Sequence, residues 1–370
     1  MKIHCNKEDL VKSVQTIQSA LSARTTLPIL SNFMMETEKS KVKFVSTDLE
    51  MGVKNYIPAE IEADGSITIP AKKFSDILHS LPDGYDVELL VDVGEKIHLK
   101  CGRSRFAIIG APKAEYPVLP EFDKHDAFQL PILLLSDMIK KTIFAASSDE
   151  TRHVLNGVFW SAKQGTLDMV ATDGRRLSII SRDGIAKEQN FQIIVPTKIL
   201  GEFLRLVGTF DLKTDSTESA YVGVTDNQIV LQVRDTTLLS RLIGGAFPNY
   251  DQIIPKKKDL SITLDTQELL AVTKRASLCV LDRGGSVTFD IHKNVLYISA
   301  SSQNLEFNDE IGVDYSGEEF KVAFNPYFLV DALKHVDSSK VSMSFTTPIN
   351  PALIEPVGGG YRFIIMPMRI

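Results

Sequence analysis

The sequence predicts an α+β fold in which one unit is used three times. Three observations carry that expectation. Val45 to Met51 reads VSTDLEM and Val170 to Leu177 reads VATDGRRL, so Thr47-Asp48 recurs as Thr172-Asp173, 125 positions on. Ile69-Pro70-Ala71-Lys72 is answered by Val195-Pro196-Thr197-Lys198 at almost the same offset. Each third of the chain then alternates helical and strand periodicity in the order helix, strands, helix, strands. A fragment that recurs at domain spacing marks repetition of one fold. The expected domains are 1–125, 126–255 and 256–370, each within the usual range of ~100–200 residues.

In the first third, Leu10, Val14, Ile17 and Leu21 share one helix face. Strands are expected at 29–35 and 42–47, then at 53–61 and 66–70. Pro70 opens a second helix whose stripe is Phe74, Ile77, Leu78 and Leu81; proline suits a first helical turn. Strands at 86–92, 96–101 and 104–109 follow. The middle third begins with a helix at 131–147, then strands at 154–160 and 166–172. There Asp173-Gly174 makes a tight hairpin, since glycine accepts the positive φ the turn needs. A helix from Lys198 and strands at 220–225, 228–234 and 237–243 complete it. The last third has a helix at 266–277 and strands at 286–292 and 294–300. Asn325-Pro326 opens the next helix, and strands at 341–346, 352–356 and 361–366 end the chain.

The chain has 370 residues, 44% of them hydrophobic, and a net charge of −6. That bulk charge does not suggest a nucleic-acid binder. The helices are nevertheless net basic, through Lys72, Lys73, Lys140, Lys141, Lys198, Arg205, Lys274 and Arg275. Such helices can face a polyanion, or can be ordinary solvated faces. Cys5, Cys101 and Cys279 form no CxxC pair or metal-ligand spacing, which fits a reducing cytoplasm. No signal-peptide core and no run of 18 apolar residues occurs. Nucleophile-elbow, phosphate-loop, zinc-protease and dinucleotide motifs are missing, so no catalytic residue, cofactor or metal is expected. Gly358-Gly359-Gly360 lies between strands and reads as a turn. His153 beside Arg152 lacks a nucleophile to serve, and Trp160 reads as core. The end, YRFIIMPMRI, is apolar to its last residue, although chain ends are usually polar. Pro367 is expected to stop sheet pairing and leave Met368 to Ile370 free to line a groove. Methionine suits a surface that receives several partners.

LPIL with TDLEM, IPAKKF, GRSRF, LNG followed by VATDGRRL, FPNY and MPMRI together resemble the bacterial DNA polymerase III beta subunit, the sliding clamp family. The resemblance spans the chain in order. It implies three DNA-clamp domains, each with two helices lining a central hole and antiparallel sheets outside, joined head to tail as a homodimeric ring. It implies a non-catalytic processivity factor that encircles double-stranded DNA without reading bases, with no membrane role. The DNA-facing residues would be Arg24, Lys72, Lys73, Lys140, Lys141, Arg152, Lys198, Arg205, Lys274 and Arg275. The polymerase III alpha subunit, the clamp loader and other proteins with clamp-binding motifs would dock a short apolar peptide. Its pocket would comprise Leu155, Thr172, Gly174, Arg175, Arg176, Leu177, Pro248, Ile349, Pro351, Ile364, Ile365, Met366, Pro367, Met368, Arg369 and Ile370. Asp173 would be structural.

The dimer joint would pair Arg103, Arg105, Phe106 and Ile108, with Phe106 buried, against Leu278, Cys279 and the strand near 298–305. The chain departs from the family at Arg175, where relatives carry His, and at Gln252, where they carry Arg. His153-Val154 also replaces an aromatic pair. A repeat-domain hydrolase or transferase, and an interaction scaffold that never meets DNA, are the competing classes.

Overall fold

The computed structural model describes residues 1–21, 27–186, 188–213, 216–280 and 284–369. Its α-helices are α1 (Lys7–Ile17), α2 (Ala71–Ser80), α3 (Ile132–Ile143), α4 (Thr197–Val207), α5 (Thr266–Ser277) and α6 (Pro326–Leu333). Their starts follow from local chemistry. Asn6 accepts the Glu8 and Asp9 amides ahead of α1, and Asp265 accepts the Glu268 amide ahead of α5. Asn325 accepts the Tyr327 amide ahead of α6, with Pro326 in the first helical position. A side-chain acceptor at this place satisfies amides that have no partner inside the helix.

The chain forms two compact units, Met1–Leu135 with Lys198–Leu242, and Ser136–Thr197 with Ile243–Ile370. The first holds a five-stranded sheet ordered Glu60–Ala63, Lys2–Cys5, Val87–Val91, Lys96–Cys101, Ser104–Ile109. It also holds an eight-stranded sheet ordered Ala127–Pro131, Ser219–Val224, Gln228–Val233, Thr236–Arg241, Met51–Pro58, Lys41–Thr47, Asn32–Glu38, Ser66–Pro70. Inside that sheet the first and middle thirds pair directly, with Leu238 opposite Val53 and Ser240 opposite Met51.

The second unit repeats the plan. Its eight-stranded sheet runs Phe191–Pro196, Gly157–Lys163, Gly165–Thr172, Arg176–Ala186, Tyr361–Ile365, Ala352–Pro356, Lys340–Phe345, Leu260–Asp265. Here the middle and last thirds pair, with Leu177 opposite Ile364. The four-stranded sheet runs Glu306–Gly312, Val295–Ser301, Val287–His292, Phe320–Phe324. Trp160, Phe203 and Phe289 are fully buried, as are Phe33, Phe44 and Phe74 around one another. The three cysteines are unpaired and buried.

The expected elements shift in places. Pro28–Ser31 is a 3-10 turn, so the strand expected from residue 29 begins at Asn32. Glu150–Leu155 is also a 3-10 turn, and the strand expected from 154 begins at Gly157. The helix expected over 131–147 ends at Ile143. The strand expected over 53–61 divides into Met51–Pro58 and Glu60–Ala63, and Lys2–Cys5, Ala127–Pro131, Phe191–Pro196, Leu260–Asp265, Glu306–Gly312 and Phe320–Phe324 were not anticipated.

The repeat persists to single hydrogen bonds. Thr47 Oγ1 donates to the Met51 carbonyl at 2.8 Å and accepts the Leu49 amide at 3.0 Å. Thr172 Oγ1 donates to the Arg176 carbonyl at 2.6 Å and accepts the Gly174 amide at 3.0 Å. Asp48 and Asp173 each accept two amides from the following residues. Leu49, at φ 77°, stands where Gly174 has φ 84°. The left-handed conformation costs a leucine about 1–2 kcal/mol that a glycine does not pay.

Candidate functional site

The turn Thr172–Arg176 feeds the strand pair Arg176–Ala186 and Tyr361–Ile365, and successive side chains on a strand point to opposite faces. One face gathers Val170, Leu177, Ile179, Leu353 and Ile364 into an apolar cluster, with Phe159, Phe247, Tyr250 and Ile254 packed on it. Phe159 and Phe247 stack with centroids 5.0 Å apart. Pro248 is exposed beside Phe247, while Leu155 and Thr172 are buried. Ile365 is 1% exposed and lies outside this cluster, because alternation turns it to the opposite face. It is therefore not a wall of the groove, contrary to the sequence expectation.

On the opposite face Arg176 is held from four sides. Its Nη1 lies 2.7 Å from Asp331, its Nη2 donates to the Phe144 carbonyl at 2.6 Å, and its Nε donates to Asp173 at 3.1 Å. Its guanidinium also sits 4.7 Å from the Phe328 ring centroid. Asp173 is thus a strut, bonded to two backbone amides and to Arg176. A cleft of about 740 Å³ opens here, lined by Arg152, Arg175 and Arg176, by Asp149, Asp173 and Asp331, and by Asn325, Tyr327 and Phe328. Hydrogen bonds from Thr151, then from Arg152, hold the Asp149 carboxyl below its usual range. Asn325, Tyr327, Phe328 and Asp331 were missed from sequence. The Asn-Pro helix start was the available signal, since it fixes where that short helix begins.

A second groove, of about 650 Å³, runs from Gly174 and Met366 along Gln252–Lys257 to Thr346, Thr347, Asn350 and Pro351. Ile349 stands 80% exposed in that last loop. The chain end does not hang free as expected. The Met366 amide donates to the Arg175 carbonyl at 2.9 Å, and beyond Pro367 the Met368 amide donates to the Ala323 carbonyl at 2.7 Å. Pro367 interrupts only its own donor, so pairing resumes on a different strand. Arg369 is exposed, and Ile370 lies outside the described residues.

The cationic set divides. Lys72 and Lys73 on α2, Lys140 on α3 and Lys274 on α5 are exposed and make no ion pair among the described residues. Lys198 pairs with Asp48, Arg205 with Glu202, Arg275 with Asp309 and Arg152 with Asp149. Lys141 is 5% exposed, its ammonium 2.8 Å from Asp137, 2.7 Å from Asp337 and 4.2 Å above the Tyr361 ring. Such a lysine cannot face a ligand, and it leaves the DNA-facing set. Arg24 lies outside the described residues.

Two sheet edges complete the inventory. Ser104–Ile109 is the outer strand of the five-stranded sheet, and Glu306–Gly312 that of the four-stranded sheet. Val295–Ser301 is paired on both sides, so the expected joint strand at 298–305 is an inner strand and the free edge is its neighbour. In the single chain Phe106 is 37% exposed and Ile109 75% exposed, so both are available to a partner strand. Arg103 and Arg105 accompany the first edge, while Glu306, Asp309 and Glu310 lie on the second. Leu278 is 69% exposed but Cys279 only 2%. The thiol therefore faces inward and offers no contact surface.

Three family profiles match the chain: the N-terminal domain of the DNA polymerase III beta subunit over residues 1–120, its central domain over 129–249 and its C-terminal domain over 251–369. A beta sliding clamp of Bacillus subtilis is 31% identical, with 100% of both chains covered. The crystal structure of the DNA polymerase sliding clamp from that organism superposes with a TM-score of 0.94 at 31% identity, covering 100% of this chain and 99% of that one. A sliding clamp from Pseudomonas aeruginosa bound to griselimycin gives 0.92 at 28% identity, with both chains fully covered.

Proposed function

Because the chain belongs to the DNA polymerase III beta subunit family, we propose that it is a sliding clamp, a non-catalytic ring that tethers the replicative polymerase to duplex DNA. The domains we assign are 1–125, 126–255 and 256–370. Two copies close head to tail, the Ser104–Ile109 edge of one adding to the Glu306–Gly312 edge of the other. Unpaired backbone groups on both strands, and basic against acidic side chains, favour that contact over either edge meeting itself. A heterologous contact of this kind gives a ring when its rotation closes.

The observation that carries the reading is the state of the helix cations. Lys72, Lys73, Lys140 and Lys274 are free to meet phosphates, whereas Lys198, Arg205 and Arg275 already hold carboxylates. Contacts of this strength are independent of sequence and weakened by salt, which suits a protein that must slide. The acidic balance of the rest of the chain repels DNA from other surfaces. The clamp loader, the polymerase alpha subunit and other partners dock apolar peptides over Leu177, Ile364 and Met366. The site of action is the cytoplasm.

The test is topological. Loaded onto nicked circular DNA, the protein stays bound through gel filtration, and it runs off when the circle is cut. Equal retention on both forms overturns the proposal. Replacing Phe106 by Ala weakens the dimer by about 2 kcal/mol per joint or more, a central aromatic being the usual anchor of such a contact. Sedimentation at nanomolar concentration reads this as a shift to monomer; an unmoved dimer places the joint elsewhere.

A further inference from the structure

We propose that the groove beside Lys256 and Lys257 receives an acidic flank next to the apolar core of a partner peptide. This inference rests on the pocket reading above and adds the charge of the ligand that the pocket prefers. The groove is lined by Gly174 and Met366, by Ile254 and Pro351, and by the two lysines, and Ile254 also packs on the apolar cluster. A peptide seated on the apolar cluster and extended past Ile254 enters it.

Lys256-Lys257-Lys258 is a run of three cations with unequal fates. Lys258 is held by Glu355 of the strand Ala352–Pro356. Lys256 and Lys257 are exposed, line the groove and make no ion pair among the described residues. Among the described residues the only carboxylate lining it is Asp259; Asp251 is exposed on the preceding turn but does not line it. Thr346, Thr347 and Asn350 supply neutral polar groups on the far wall, where the Asn350 amide nitrogen donates to Thr346 Oγ1 at 3.1 Å. The neighbouring cleft is different. Arg152 and Arg176 there are already taken by Asp149, Asp173 and Asp331. Among the described residues lining that cleft, Arg175 is the one cation without an ion pair, so a test must separate it from the lysines.

Fluorescence anisotropy on the full chain provides that test. The probes are synthetic peptides sharing the core Leu-Ala-Leu-Phe, flanked on either side by two Glu, two Gln or two Lys. At low salt the Glu flank on one side binds about three- to tenfold tighter than Gln, as two exposed ion pairs allow. At ~0.5 M salt the advantage falls below about twofold, because exposed charges are screened. In the double variant Lys256→Gln, Lys257→Gln the Glu-to-Gln ratio drops to about one, and in Lys256→Glu, Lys257→Glu the Lys flank becomes the better ligand. Arg175→Gln keeps the preference. Equal affinity for all flanks in the native chain overturns the inference, as does a preference that survives the lysine variants or vanishes with Arg175. Those outcomes leave the apolar pocket standing. If no peptide binds whatever its flank, the pocket reading itself fails.

Discussion

Deleting Met366 to Ile370 abolishes capture of the partner peptide while the dimer survives. The loss is at least about 100-fold in affinity, or ~2.7 kcal/mol. Met366 is 38% exposed and lines the lysine groove, and it is positioned by its amide bond to the Arg175 carbonyl. Met368 ties the end of the chain to Ala323 on a different sheet. Removing the tail therefore strips one wall of the groove and frees the Arg175 turn. The two edge strands proposed for the joint do not pair with these residues. Anisotropy with an apolar peptide reads the first effect and sedimentation the second. Unchanged peptide affinity in the truncated protein refutes the pocket assignment, and dissociation into monomers refutes the joint.

Replacing Lys141 by Met lowers stability by about 2 kcal/mol. Removing one partner of a buried ion pair typically costs ~3–5 kcal/mol. Asp137 and Asp337 are 38% and 66% exposed at their side chains, however, so water recovers part of that. For a unit of this size the effect is a drop of roughly 4–8 °C in Tm. The effect depends on pH in a definite sense. Burial would raise the Asp337 carboxyl, but hydrogen bonds from Lys141 and Tyr361 outweigh it and hold the group below its usual range. A depressed carboxyl contributes stability that is complete above its unfolded pKa of ~3.9 and is lost as pH falls through the folded value. The Tm gap between the native chain and Lys141→Met is therefore full at neutral pH and shrinks below about pH 4. A gap that stays constant to pH 3 shows that packing, not charge, supplies the difference.

What could be read from the sequence was set by interactions close in the chain. The Thr-Asp turns were legible because each is closed by bonds spanning two to four residues. The start of α2 was legible because Pro70 stands immediately before it. Glu306–Gly312 was not, since Glu, Asn and Asp are poor strand formers and only the neighbouring Val295–Ser301 recruits them. Lys2–Cys5 and Leu260–Asp265 pair with strands far along the chain, and nothing within either marks the partner. The Lys141 error has the same origin. Its bond to Asp137 is one helical turn away, but Asp337 lies 196 positions on. Resemblance supplied the apolar pocket, whereas the lysine groove depends on Lys258 being tied to Glu355, which spacing does not reveal.

The ladders that join Thr236–Arg241 to Met51–Pro58, and Arg176–Ala186 to Tyr361–Ile365, cross the borders proposed between repeats. A gene fragment cut at residue 125 or 255 would therefore not release a finished module. It would expose Met51–Pro58 or Tyr361–Ile365 as raw, mostly apolar strands, ready to stack on any other chain. The paired strands thus make each repeat depend on its neighbour for a closed sheet.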